Sequence, residues 1–213
     1  MFAFIKTIVY NQFRKQDILI SKGKKMNKKT GFTLAEVLIT LVIIGVIAAM
    51  TVPTLMNNTS SQEYRTGVKK AISMLNQAVT MQYALQGETM ADFTTAALMR
   101  DNVFTKRLNV INTTTSAIGG VATDATIYTA DGMKFGFRDV TSGCTDTVKC
   151  GTILIDVNGD RKPNKPTTDA NSPKDVYAAL IYSQRIVPYS GAVDSITVKT
   201  QEVMFESGQG SSF

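Results

Sequence analysis

The feature that most limits how this chain can fold is an apolar run of 25 residues, 32–56, with one charged side chain, Glu36. As an α-helix the run would rise about 37 Å, enough to cross the roughly 30 Å hydrocarbon core of a membrane. A carboxylate inside a membrane span costs about 2.5–3.5 kcal/mol by insertion scales and usually marks a function. A secretory signal has a shorter apolar core, and a plain anchor does not explain Glu36. We therefore expect a membrane helix whose acidic residue has a partner.

The basic residues are concentrated before this run. Residues 1–31 hold eight Lys and Arg side chains against one acid, whereas residues 32–213 carry 15 basic and 16 acidic side chains. Because basic flanks stay in the cytoplasm, the start of the helix is expected there and everything after residue 56 outside the inner membrane. The nearly neutral body disfavours nucleic acid as a partner, because it lacks the positive field that such binding requires.

Composition excludes several kinds of catalytic centre. The sequence has no His, no Trp and only two Cys. A His-dependent catalytic relay, a His-ligated zinc or haem site and a four-thiolate cluster therefore cannot be built. No phosphate-binding loop or dinucleotide motif is present. We expect a protein that is not an enzyme, and no cofactor apart from the calcium considered below.

A specific pattern begins at residues 31–36, Gly-Phe-Thr-Leu-Ala-Glu. It also includes the basic leader before them, the apolar run after them and Pro53. This pattern resembles the N-terminus of type IV pilins and type II secretion pseudopilins. The resemblance implies that a prepilin peptidase cuts between Gly31 and Phe32 and methylates the new amine of Phe32. It implies that Glu36 pairs with that amine on a neighbouring subunit during assembly. It also implies that Pro53 kinks or locally melts the helix in the filament.

The leader is longer than the short hydrophilic leaders of that class. A start at Met26 would give a compact basic leader, so we expect residues 1–25 not to be translated. The alternative is a long leader with a targeting role of its own, and any peptide from residues 1–25 in the unprocessed protein would establish it.

The resulting domain organisation has three parts: a leader at 1–31, a transmembrane and filament-core helix at 32–56, and an extracytoplasmic α+β domain at 57–213. Residues 57–61 are polar and predict a turn. Residues 62–86 predict an amphipathic helix that continues the membrane helix. Its apolar face consists of Tyr64, Val68, Ala71, Ile72, Leu75, Ala78 and Val79.

A second helix and a sheet are predicted to follow. Thr89 with Asp92 indicates a helix start, and the helical pattern continues to about residue 108. Residues 112–120 predict a loop. Strands are predicted at 125–130 and 133–138 around the turn Asp131-Gly132, with one buried face, and further strands at 152–157, 176–182 and 195–204. The fold class is α+β and pilin-like: a long N-terminal helix, with a membrane half and an amphipathic half, packed on a small antiparallel β-sheet.

Cys144 and Cys150 enclose five residues. Because the topology places them outside the cytoplasm, a disulfide is permitted, and we expect it to hold residues 142–149 against the following strand. The alternative is a pair of free thiols.

Asp156, Asn158 and Asp160 repeat the oxygen-ligand spacing that opens an EF-hand loop. The rest of that loop departs from the pattern, with Arg161 at its sixth position and Thr167 at its twelfth. Some major pseudopilins bind calcium in a loop of their sheet region, so calcium is one hypothesis for this segment. The other is a plain turn in which Asp and Asn side chains bond their own backbone.

The function that the resemblance implies is that of a structural subunit of a type IV pilus or type II secretion pseudopilus-like filament. Its implied partners are copies or paralogues of itself, the prepilin peptidase, an assembly platform with its ATPase, and the lipid bilayer before assembly. One alternative is a competence-type pilin for DNA uptake, which the charge of the body does not favour. Another is a permanently membrane-anchored extracytoplasmic binding protein, in which Phe32 is never a free N-terminus and Glu36 is replaceable.

Overall fold

The computed structural model describes residues 32–194 and 196–205. The leader, the possible start at Met26 and the cleavage residue Gly31 lie outside the described residues. The chain divides into two compact units, with the boundary between Ala49 and Met50. The first helix, α1, is Leu34–Gln86 and has 53 residues.

Helix α1 has no turn at residues 57–61, so that prediction is wrong. The hydroxyl of Thr59 donates to the carbonyl of Leu55 at 2.9 Å, and that of Ser60 to the carbonyl of Met56 at 3.0 Å. Because these side chains bond to the preceding helical turn, polar residues that are neutral in helix propensity are accommodated without ending the helix. Pro53 also lies inside α1.

The predicted apolar face of residues 62–86 is confirmed. Its members are buried, apart from the partly buried Tyr64, and they form one core cluster with aromatic and aliphatic side chains of the sheet. Spacings of three and four residues place these side chains on one stripe, so their burial is the main stabilising contribution of this part of α1. The buried members are Val68, Ala71, Ile72, Leu75, Ala78 and Val79.

The second predicted helix is present as several short pieces. Asp92 accepts a hydrogen bond from the N–H of Thr89 at 2.7 Å, as the start signal indicated. The helical backbone then breaks, because Thr95 is extended and accepts the N–H of Leu98 as the cap of a new helix. The pieces are a 3₁₀ turn Met90–Asp92, helix α2 Ala96–Met99, a π-helical turn Arg100–Phe104 and helix α3 Thr105–Arg107.

The sheet has six antiparallel strands in the order β1-β2-β3-β4-β5-β6. The turn Asp131-Gly132 joins β2 to β3, and Gly132 adopts a φ of +85°, which glycine tolerates. The edge strand β6 is covered by α1, because the side-chain amide of Asn76 exchanges two hydrogen bonds with the backbone of Ile186 at 2.9 Å each. The strands are β1 Val110–Thr114, β2 Ala125–Thr129, β3 Lys134–Arg138, β4 Gly151–Asp156, β5 Val176–Ile181 and β6 Ile186–Pro188.

Both faces of this sheet are covered, whereas the alternation in β3 predicted only one. All six residues of β4 are buried. One face packs on α1, and the other carries a second apolar cluster with β7, Ser190–Val193, and β8, Ile196–Lys199. Gly136 marks the close packing there, since a Cβ at that position would lie 2.5 Å from the Thr123 methyl. The second cluster is Ile118, Val121, Leu154, Val176, Ala178, Val193 and Val198.

Two further predictions need correction. Residues 110–114 form strand β1, although part of them was predicted as a loop. The strand is defined by backbone pairing with β2, and its sequence, Val-Ile-Asn-Thr-Thr, shows no alternation of apolar and polar residues. The strand predicted at 195–204 ends at Lys199 and is followed by helix α4, Thr200–Phe205. The chain turns there because the hydroxyl of the buried Thr200 accepts the N–H of Ala178 at 3.0 Å. Ser195 lies outside the described residues. The α+β class with a long N-terminal helix and an antiparallel sheet is confirmed.

Candidate functional site

The start of α1 is held by a reciprocal pair of hydrogen bonds between Thr33 and Glu36. The N–H of Thr33 donates to Glu36 Oε2 at 3.2 Å, and its hydroxyl donates to the same oxygen at 3.1 Å. The N–H of Glu36 donates back to Thr33 Oγ1 at 3.3 Å. This is a capping box, which satisfies N–H groups that the first turn of a helix leaves unpaired. The carboxylate therefore has a local partner within its own chain.

The helix around Glu36 is apolar and exposed. The segment Leu34–Pro53 of α1 is long and apolar enough to cross a membrane by length and composition, with a mean hydropathy of 2.5, and none of it is buried within the described chain. Phe32 is 85% exposed. An apolar surface of this extent needs lipid or other protein to cover it. Glu36 and Pro53 are both exposed on this segment.

Cys144 and Cys150 form a disulfide, as predicted, with Cα atoms 5.0 Å apart. The N–H of Cys150 donates to the carbonyl of Ile181 and the N–H of Thr141 to the carbonyl of Cys150 at 2.8 Å. The bridge thus attaches the loop directly to the start of β4 and the end of β5.

The acidic segment places its three predicted ligands in different surroundings. Asp156 ends β4 and is only 2% exposed. Its Oδ1 accepts the N–H of Asn158 at 3.2 Å, the bond of an Asx turn. Asp160 turns away to an ion pair, with an exposed carboxylate. Within residues 32–194 and 196–205, no group of three or more acidic, Cys or His side chains is arranged to hold a metal ion. The calcium hypothesis stays a prediction.

A lysine from the neighbouring strand β3 reaches this acidic segment. Lys134 Nζ lies 3.0 Å from Asp160 Oδ1 and 3.2 Å from the carbonyl oxygen of Ala117. It also lies 5.1 Å from the centroid of the Tyr128 ring, a cation–π distance. Lys134 is directly opposite Asp156 in the β3–β4 register. Burial alone would lower the pKa of Lys134, but Tyr128 and Asp160 raise it above its ordinary value.

Asp156 is the strongly perturbed acid of this region. Burial first, and then the charge of Asp175, raise the pKa of Asp156 to about 7. Asp175 is itself fully buried, and its two oxygens accept the N–H groups of Asn164 and Lys165 at 2.7 and 2.8 Å. Two buried carboxyl groups at neighbouring strand ends disfavour a second negative charge, so Asp156 binds its proton tightly.

The sequence analysis did not identify two residues that bond to predicted site residues: Thr33, which bonds to Glu36, and Lys134, which bonds to Asp160. The pattern Thr33-x-x-Glu36 is itself the signature of a capping box, so that partner could have been found. Lys134 had no local signal, because Asp160 is 26 residues away and the burial of the second sheet face depends on β7 and β8.

Comparison with known proteins bears on the N-terminal part of the chain. The family described as the prokaryotic N-terminal methylation motif matches residues 26–52. The type II secretion system core protein G of Vibrio cholerae serotype O1 is 40% identical over 53 residues, which are 25% of this chain and 36% of that protein. The chain thus spans about a third of the length of the curated relative that it matches. No solved structure matches it.

Three features of the described chain bear on its class: the N-terminal motif, the exposed apolar helix and the antiparallel sheet. Together with the relative from the secretion system, they support a type IV pilin-like protein, a pilin or pseudopilin subunit. The apolar helix and the motif fit a pilin anchored in the inner membrane.

Proposed function

We propose that this chain is a structural subunit of a type IV pilus or type II secretion pseudopilus-like filament, not an enzyme. The subunit is held in the inner membrane with its N-terminus in the cytoplasm. A prepilin peptidase cuts it after Gly31 and methylates the amine of Phe32. An assembly platform driven by an ATPase then moves it into a filament of copies or paralogues of itself.

The observation that carries this proposal is the single acid in the exposed apolar helix. Glu36 lies in the first turn of a helix whose other side chains as far as Pro53 are uncharged and are not buried within the chain. In a bundle of such helices, both Glu36 and the new amine of Phe32 would leave water. Each is costly alone, since removing one partner of a buried ion pair costs about 3–5 kcal/mol. The pair therefore fixes the axial position of one subunit against the next more than it adds stability.

The capping box gives a specific reason to consider the alternative of a permanent anchor. Because Thr33 already bonds the carboxylate, Glu36 has a role that needs no second subunit. Capping does not require the negative charge of Glu36, because Gln serves a capping box as well as Glu does. Pairing with the amine of a neighbouring subunit does require that charge. Substitutions at these two positions therefore separate assembly from capping.

We expect Glu36→Gln and Glu36→Ala to lower the filament yield at least tenfold, because both remove the charge that pairs with the amine. Thr33→Ala removes the cap, worth about 0.5–2 kcal/mol, but keeps the charge, and we expect its filament yield to stay within about twofold of the wild type. The measurement is the quantity of sheared filament per cell, normalised to the total amount of subunit.

N-terminal sequencing of the same proteins gives the control. We expect all variants and the wild type to begin at Phe32, so that a loss of filament cannot be assigned to failed processing. Wild-type yield in Glu36→Gln together with a low yield in Thr33→Ala would assign Glu36 to capping alone. A mature protein that keeps its basic leader would leave only the anchored binding protein.

A further inference from the structure

A basic loop packs beside the part of α1 that follows the apolar span. Residues 161–174, named the basic loop here, contain four basic side chains, Arg161, Lys162, Lys165 and Lys174, and one acid, Asp169. The first three are exposed and Lys174 is half-buried. In the part of the chain that the structure describes, none of the four forms an ion pair, whereas Lys70, Arg100, Lys134, Arg138 and Lys199 all do.

The basic loop is fixed to α1 by direct contacts. Arg65 on α1 donates through Nη2 to the carbonyl of Ala170. Between the loop and the helix lies a pocket of about 330 Å³. Its lining is rich in hydroxyl groups and includes one ammonium group: Ser60, Ser61 and Tyr64 come from α1, and Pro163, Ser172, Pro173 and Lys174 from the loop. The hydroxyl of Ser60 already donates to the carbonyl of Met56, but the hydroxyls of Ser61 and Ser172 and the ammonium group of Lys174 are donors that suit the oxygens of a phosphate group.

The position of the pocket along α1 brings it close to a bilayer. Ser60 comes seven residues after Pro53, the last residue of the apolar span, so the helix rises only about 10 Å between them. The polar layer outside the hydrocarbon is roughly 5–8 Å thick on each side, and charges act on one another over a Debye length of about 8 Å. The exposed cations of the loop are thus within electrostatic reach of the headgroups.

We propose that the basic loop binds the anionic headgroups of the membrane in which the subunit is anchored, with a lipid phosphate in the hydroxyl-lined pocket. The inference rests on the proposed function, because it requires α1 to be inserted in a bilayer. Its consequence is that the subunit waiting in the membrane is held at its surface by charge as well as by its helix. Extraction into a filament must break that contact.

Hydrogen exchange of the full chain in lipid nanodiscs tests the proposal. We expect the backbone amides of residues 161–174 to exchange at least about fivefold more slowly in nanodiscs containing phosphatidylglycerol than in neutral phosphatidylcholine nanodiscs, and the difference to vanish at high salt. Lys162→Gln with Lys165→Gln should remove most of the protection. Lys106→Gln with Lys149→Gln changes two exposed lysines that lie outside the basic loop, and it should keep the protection.

Several outcomes would overturn the proposal. Equal exchange in both kinds of nanodisc, or protection that is independent of charge and salt, excludes headgroup binding. Protection by a short DNA duplex but not by anionic lipid would assign the loop to nucleic acid. The proposed function is tested separately by two measurements: flotation of the chain with lipid vesicles, which reports membrane insertion, and the filament yield. A chain that does not insert overturns both, whereas normal insertion and assembly without lipid-dependent protection overturns this inference alone.

Discussion

Asp156 shows at the scale of one residue how the fold controls a charge. The groups around its carboxyl group are Asp175, Lys134, Asp160 and the backbone N–H of Asn158. Burial and the two neighbouring acids outweigh the lysine and the hydrogen bond, so the pKa of Asp156 is raised to about 7. The unfolded chain releases the same proton near its ordinary pKa of 3.8.

This difference predicts a pH-dependent stability. Since the folded state binds the proton more tightly, the free energy of unfolding falls as pH rises from about 4 to about 7 and is then constant, with a total change of roughly 4 kcal/mol from this group. We expect Asp156→Asn to match the wild type near pH 4 and to melt several degrees higher near pH 8. The measurement is the melting temperature of the full chain in detergent at each pH, with unfolding monitored by tyrosine fluorescence. Parallel pH profiles for the two proteins would contradict this assignment.

Lys134 leads to a prediction about calcium. Because its ammonium group already neutralises Asp160 at 3.0 Å, we expect millimolar calcium to shift the wild-type melting temperature by less than about 1 °C relative to magnesium. A bound ion worth 1 kcal/mol would shift it by about 2–4 °C in a domain of this size. Asp160→Asn provides the matched variant, in which calcium must also have no effect. A calcium-specific rise in the wild type that Asp160→Asn abolishes would establish the metal site instead.

At the scale of secondary-structure elements, the sequence patterns predicted the buried faces correctly where a single helical or strand-like periodicity runs through a segment. The apolar stripe of residues 62–86 and the alternation of Phe135 and Phe137 both predicted buried faces correctly. They failed where a distant element decides the outcome. Strand β1 exists through its pairing with β2, and the second face of the sheet is buried only because β7 and β8 return to it.

We expect the disulfide between Cys144 and Cys150 to contribute measurably to the free energy of unfolding. Replacing both Cys144 and Cys150 by Ala should lower the free energy of unfolding by about 2–3 kcal/mol, since the bridge limits the freedom of the unfolded loop. Chemical denaturation of the full chain in detergent under non-reducing conditions measures the change. Val148→Ser, an exposed substitution in the same loop, is the control and should stay within about 0.5 kcal/mol. An unchanged midpoint in the double variant would show that backbone contacts alone hold the loop.

At the scale of the whole molecule, the candidate site divides into a part that sequence can predict and a part that it cannot. Glu36 and its capping partner Thr33 are three residues apart at the start of one helix, so local spacing suffices to find them. The basic loop and the Lys134–Asp160 pair depend on chain segments brought together by folding. The pocket beside α1 joins Ser60 to Lys174, which no local pattern connects.

The ribbon of β7 and β8 on the far side of the sheet has an evolutionary consequence. Val193 and Val198 are anchored in the second apolar cluster, while the alternate residues Ala192 and Thr197 face solvent. This ribbon contributes nothing to the cluster that α1 shares with the sheet. The exposed residues on that side can thus change during evolution without disturbing the buried stripe of α1.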